Sequence, residues 1–307
     1  MKNKTERLRR LVKGMRLAYG RGENAMAWAR ANDELLDDTI DAALIAYDLQ
    51  AGSYTALARK DSEYRKRWCD QLAAHVEPWV EPGDRILEVG VGEATTLSGV
   101  ISALKQSTIQ ALGFDISWSR IQVGRNWVDE NQINARLFVA DLFNIPIANN
   151  AVDVVYTSHS LEPNGGRESA AIAECLRVAR KAVVLVEPIY ELASEAAQLR
   201  MINHGYVRNL RATAESLGAT VVEYAMLDVC ANPLNPSGVL VLEKTNAEPR
   251  SAIDLSCCWQ CPITGAELVD LGDLYYARDI GLAYPVMRDI PLLRPEHVVV
   301  ASLLGSA

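Results

Sequence analysis

The stretch Arg85-Ile-Leu-Glu-Val-Gly-Val-Gly-Glu-Ala-Thr-Thr96 decides the fold. It follows the turn Glu81-Pro-Gly-Asp84, opens with a short apolar run and passes through Gly-x-Gly into a helical segment at Leu97. A short apolar run bounded by turn residues reads as a strand buried on both faces, as in a parallel sheet. Glycines at 90 and 92 let the backbone turn tightly at the strand's C-terminal end and come close to a ligand, which is where doubly wound sheets bind. A dinucleotide loop would place a third glycine at Thr95 and keep carboxylates away from the pyrophosphate. Here Glu88 and Glu93 make a field suited to a cationic ligand instead.

Outward from this loop, apolar runs recur at 109–114, 135–139, 152–157, 182–186, 220–224 and 238–243, separated by helix-length segments such as 117–130 and 167–180. Strands alternating with helices imply a parallel sheet covered on both faces by right-handed crossovers. The last two runs are joined by Asn232-Pro-Leu-Asn-Pro-Ser-Gly238, which cannot hold a crossover helix, so they are expected to pair antiparallel. The expected fold class is α/β: a doubly wound, mostly parallel seven-stranded sheet with a helical N-terminal extension and a small C-terminal α+β module. The expected divisions are 1–50, 51–244 and 252–307, with the polar stretch Thr245-Asn-Ala-Glu-Pro-Arg-Ser251 as linker.

At 307 residues the chain is long enough for one large domain and a smaller one. Residues 1–31 carry nine Lys/Arg and two Asp/Glu, a net +7, which leaves −15 on the remainder of a chain whose total is −8. Leu8, Leu11, Val12 and Met15 recur at helical spacing among these cations. Such a helix fits an anionic membrane surface or RNA phosphates, but the favoured reading is an apolar stripe docked on the body. The acidic remainder argues against broad nucleic-acid binding. No run of about 18 apolar residues and no signal-peptide core occurs, so a cytoplasmic, soluble protein with reduced thiols is expected.

From about residue 50 to 244 the chain resembles the class I S-adenosylmethionine-dependent methyltransferases. Four signals in order carry the resemblance: Glu88 with Gly90 and Gly92 at the first strand's end; Gly113-Phe-Asp115 at the second's; Val139-Ala-Asp-Leu142 at the third's; and Ile145-Pro146 with Asp153-Val-Val-Tyr-Thr157. The resemblance implies S-adenosyl-L-methionine as cofactor. It puts Asp115 on the ribose hydroxyls, and Asp141 with the backbone of Leu142 on the adenine. Tyr54, Glu93, Ile116 and Ser158 complete the implied binding set, and Tyr47 resembles an aromatic contact to the methionine end. Ala94 stands where the family often has a further glycine.

Methyl transfer needs the acceptor positioned in line with the methyl, and a base where the acceptor carries a proton. His159 and Glu162, in Thr157-Ser-His-Ser-Leu-Glu162, are the catalytic candidates; a cap or cofactor-lining role for His159 is the competing reading. The Asn/Asp-Pro-Pro-aromatic pattern of amide and ring-amino methylation is absent there, which lowers DNA-base and glutamine substrates. After Glu187-Pro-Ile-Tyr190, a helical insertion carrying Asn203, His204, Tyr206 and Arg208 reads either as a lid or as an ordinary crossover.

The stretch Cys257-Cys-Trp-Gln-Cys261 offers one Cys-x-x-Cys pair, too few ligands for a structural zinc, so no metal is expected. Over residues 254–296, Cys261-Pro-Ile-Thr-Gly-Ala-Glu-Leu268 and Leu282-Ala-Tyr-Pro285 with Ile290-Pro291 resemble the zinc-ribbon-like activator subunits of tRNA and protein methyltransferases, with Thr264 in place of a metal cysteine. That resemblance implies a module that adds a strand to a methyltransferase and covers an apolar surface, here within one chain. The expected function is O- or N-methylation of a polar small molecule or glycan precursor. The alternatives are a tRNA or protein methyltransferase with its activator in cis, and a non-catalytic cofactor-binding protein.

Overall fold

A computed structural model describes residues 2–34, 40–106, 108–244 and 258–304; the expected linker 245–251 and Cys257 lie outside the described residues. The N-terminal helices are α1 (Lys2–Gly20), α2 (Ala25–Asn32), α3 (Asp41–Leu49), α4 (Ser53–Lys60) and α5 (Ser62–Val76). Small residues let the first three approach closely: Leu11 and Met15 pack on Ala25, Ala29, Ala42 and Ala46, and a side-chain carbon at Gly14 would lie 1.9 Å from the Trp28 ring. Buried Arg7 ties them further, donating from Nε to Asp33 at 2.9 Å and from Nη1 to Asp41 at 2.8 Å. The expected docking stripe is therefore split. Leu11 and Met15 are fully buried, while Leu8 and Val12 stay 41% and 43% exposed.

The central sheet comprises β1 (Arg85–Val89), β2 (Gln110–Asp115), β3 (Ala135–Val139), β4 (Val152–Ser158), β5 (Ala179–Pro188), β6 (Thr220–Met226) and β7 (Ser237–Glu243), in the order β3-β2-β1-β4-β5-β7-β6. Strands β1 to β5 are parallel neighbours, and β7 lies antiparallel between β5 and β6, as the Pro-broken connection requires. Helices α5, α6 (Thr95–Ala103) and α7 (Trp118–Glu130) pack Leu72, Leu97, Val100 and Ile121 on one face. The other face receives Ile172 and Cys175 of α8 (Glu168–Val178) and Leu210 and Ala214 of α10 (Leu210–Ser216). In-register pairing of Val89 with Phe114 and of Asp115 with Val139 brings the C-terminal ends of β1, β2 and β3 level at the point where strand order reverses. Helix α9 (Glu195–His204) follows β5.

The C-terminal residues form five short strands: β8 (Val269–Asp270), β9 (Leu274–Ala277), β10 (Leu282–Met287), β11 (Ile290–Pro291) and β12 (Val299–Val300). The module also contains a 3-10 turn, Pro295–His297. It adds to the free edge of the large sheet: Leu292 bridges Val139 in parallel, and Leu293 N–H donates to the Val139 carbonyl at 2.8 Å. Trp259 is fully buried with its ring edge-on to Phe138 at 4.9 Å, so the module shares the main core. Cys258 and Cys261 are buried there, the latter with Sγ 3.2 Å from the Tyr284 hydroxyl.

Candidate functional site

Gly90 and Gly92 take φ of +67° and +55°, a left-handed conformation that glycine adopts without a side-chain clash. At Gly90 a side-chain carbon would strike Ser160 at 2.3 Å. At Gly92 the nearest atoms are the Tyr54 ring at 3.9 Å and Arg120 at 4.0 Å, which leaves a cradle open beneath Tyr54. Ala94, at the place of the family's further glycine, accepts the left-handed region with φ +54° and starts α6. The Gly92 N–H donates to Asp115 Oδ2 at 3.1 Å and the Ser117 N–H to Oδ1 at 2.8 Å, so Asp115 fastens the loop to the start of α7. Burial raises its pKa, against the Arg120 charge. The Ile116 N–H adds a third backbone hydrogen bond to the same carboxylate.

Beside it, Ile116 and Ser117 line a cavity of about 730 Å³ with Trp118, Leu49 and Leu292. Asp141 ends the β3 edge, its Oδ1 accepting from the Phe143 N–H at 2.9 Å, and Leu142 is half-buried next to it. Ser158, half-buried, is the C-terminal residue of β4. The open glycine cradle, two strand-end carboxylates and an apolar wall therefore fit an adenosyl group with a cationic end.

The two glutamates of the loop, expected to bind the cofactor, each hold partners within the protein. Glu88 is 1% exposed and accepts from the Tyr156 hydroxyl at 2.8 Å; burial pushes its pKa up to about 8, with Tyr156 and Arg65 opposing. It braces β1 from within the sheet. Glu93 accepts from the Gly52 N–H at 2.8 Å and the Thr55 N–H at 2.7 Å, which caps the start of α4. That bond is what sets Tyr54 over the cradle. Arg120 stacks on Tyr47 at 4.5 Å and on Tyr54 at 4.9 Å, and donates to the Gln50 side chain at 3.1 Å. Burial raises the pKa of the Tyr47 hydroxyl, Asp115 adds to this, and Arg120 opposes it.

At the end of β4, buried Glu187 accepts from the N–H groups of Ser160, Leu161 and Glu162, each at 3.0 Å, and so shapes a tight turn. His159 sits in this turn at φ +58°. Its Nδ1 meets Glu162 Oε2 at 2.5 Å and its Nε2 meets Ser237 Oγ at 2.6 Å, with the Trp68 ring 5.8 Å away. Burial works to lower the His159 pKa, yet the hydrogen bond and charge of Glu162 leave it raised. Glu162 is held below the usual carboxylate range: burial opposes this, and His159, Tyr206 and Asn235 overcome it. Arg200 of α9 ties the wall together, donating to Asn235 at 2.9 Å and to the Tyr206 hydroxyl at 3.3 Å. Of the insertion's four named polar residues, Tyr206 turns to the site, while Asn203, His204 and Arg208 remain exposed.

The sequence reading missed Trp68, Arg120, Glu187, Arg200, Asn235 and Ser237. Only Arg120 left a local signal, one turn into the helix after Asp115; the others come from elements whose approach depends on sheet order.

Residues 86–182 match a family described as a methyltransferase domain. No curated protein is significantly similar to the chain. Among solved structures, the chain is similar to magnesium protoporphyrin IX methyltransferase from Synechocystis PCC 6803 with bound SAH: 15% identity, 66% of this chain, 99% of that chain and a TM-score of 0.51. A complex of the Haloferax volcanii Trm112 methyltransferase activator with a methyltransferase matches at 16% identity over 64% of this chain and 96% of that chain, with a TM-score of 0.48. Residues 86–182 thus carry a methyltransferase domain, set within a seven-stranded Rossmann-like sheet.

Proposed function

We propose that the protein methylates an oxygen or nitrogen of a polar small molecule or glycan precursor. The observation that carries this reading is the Glu162–His159–Ser237 chain at the end of β4, beside the glycine cradle. In this reading Gly90, Gly92, Asp115, Ile116, Asp141, Leu142, Ser158 and Tyr54 hold the cofactor, and Glu88 and Glu93 brace them. When bound, S-adenosylmethionine supplies a methyl group activated by a sulfonium. Glu162 orients the imidazole through Nδ1, which leaves Nε2 to take the acceptor's proton, directly or through the Ser237 hydroxyl. Trp68 shields the pair from water, and Arg200, Asn235 and Tyr206 offer a polar wall to an acceptor rich in hydroxyls. The sequence between 51 and 244 is the catalytic unit in this proposal, and residues 252–307 serve it as an activator-like cover.

Pairing of the C-terminal module with the β3 edge favours a second reading, a tRNA or protein methyltransferase with its activator in cis. Incorporation of labelled methyl from S-adenosylmethionine into cell-extract fractions separates the two. The first reading predicts label in small-molecule fractions that survives RNase and protease; label lost to either enzyme contradicts it.

A further inference from the structure

Helix α1 is committed on one side only. Leu11, Met15 and Ala18 are fully buried, and Arg7 pairs with Asp33 and Asp41. On the outer side Leu8, Val12 and Leu17 are 41%, 43% and 55% exposed. Together with Thr5, Arg9, Lys13, Arg16, Gly20 and Arg21 they line a shallow groove along the helix, in which apolar and cationic side chains are interleaved. Exposed leucines and valine interleaved with cations, on a helix fixed to the body by its other face, present two needs at once: burial for Leu and Val, and counter-charge for Arg and Lys.

We propose that this outer face of α1 docks the enzyme on an anionic lipid surface. The occupant follows from charge and hydropathy together. A second copy of the chain would bring the same cations face to face, which repels. A nucleic-acid backbone answers the cations but gives the leucines and valine no apolar partner. An anionic bilayer supplies both, with headgroups for Arg9, Lys13, Arg16 and Arg21 and the acyl boundary for Leu8, Val12 and Leu17. Residues 1–31 carry +7 against −15 on the rest, so such a surface attracts this end of the molecule and repels the remainder. Val12 and Arg16 also line the cavity that reaches Ile116 and Trp118, so docking sets the adenosine side of the cleft near the membrane.

Co-sedimentation of the full chain with vesicles tests this. Phosphatidylcholine vesicles containing about 30% phosphatidylglycerol are expected to bind the protein at least about tenfold more tightly than pure phosphatidylcholine, with release in high salt. The triple replacement Leu8→Ser, Val12→Ser, Leu17→Ser and, separately, Arg9→Gln, Lys13→Gln, Arg16→Gln are each expected to reduce binding to the neutral-vesicle level. All six side chains are exposed, and an unchanged melting curve verifies the fold. Equal affinity for neutral and anionic vesicles, or anionic binding that survives both triple replacements, overturns the proposal. So does retention of single-stranded RNA, or of an acidic peptide, without vesicle binding.

Discussion

Replacing His159 by asparagine is expected to lower kcat by about 100-fold or more. Asparagine tolerates the left-handed backbone that His159 adopts, so the turn built on Glu187 survives while the proton acceptor is lost. Cofactor affinity, measured separately, is expected to stay unchanged to within about twofold, because in the proposed mechanism His159 acts on the acceptor. The pH profile sharpens the test. A base must be neutral, and the raised pKa of His159 means that kcat rises with pH through a midpoint above 6.5, the ordinary histidine value. Glu162→Gln removes the charge that holds the imidazolium, so its midpoint moves down. The same pair contributes stability that is complete below the unfolded histidine value and fades as pH rises through the folded one; from the Glu162 side it fades again as pH falls through that group's depressed value. A kcat for the asparagine variant close to wild type would leave His159 a structural residue.

Trp259→Ala is expected to cost about 3 to 5 kcal/mol and to lower Tm by roughly 10 °C. The indole is fully buried, packs on Phe138 at 4.9 Å and Tyr275 at 5.6 Å, and lies under the Arg136 guanidinium at 5.5 Å. It joins the C-terminal strands to the core of the large sheet, so the loss is expected in one cooperative transition for the whole protein. Calorimetric melting that instead showed two steps, with the main one unmoved, would mean that the module folds apart from the sheet.

Much of the sheet was legible because each strand is a short apolar run closed by turn residues. Val89-Gly90, Phe114-Asp115 and Val139-Ala-Asp141 mark strand ends by composition alone, and the prolines at 233 and 236 gave away the antiparallel pair. The candidate pair His159 and Glu162 was legible for the same reason, since it follows an apolar strand directly. Its partners were not. Ser237 lies 78 residues away and meets His159 only because β7 inserts beside β5. The internal partners of Glu88 and Glu93, a tyrosine and a helix start, were not legible either, because residue type alone does not show which way a carboxylate next to a loop turns. Likewise the α1 periodicity identified a helix but not which of two adjacent apolar stripes is buried.

The most direct test of the account is titration calorimetry with S-adenosylmethionine on the wild type and on Asp115→Ala. Asp115 holds the Gly92 and Ser117 N–H groups and, in the proposed site, the ribose hydroxyls as well. Loss of two charge-assisted hydrogen bonds predicts affinity weakened by about 100-fold or more. Equal affinity in the two proteins would contradict the assignment of this cleft to the cofactor.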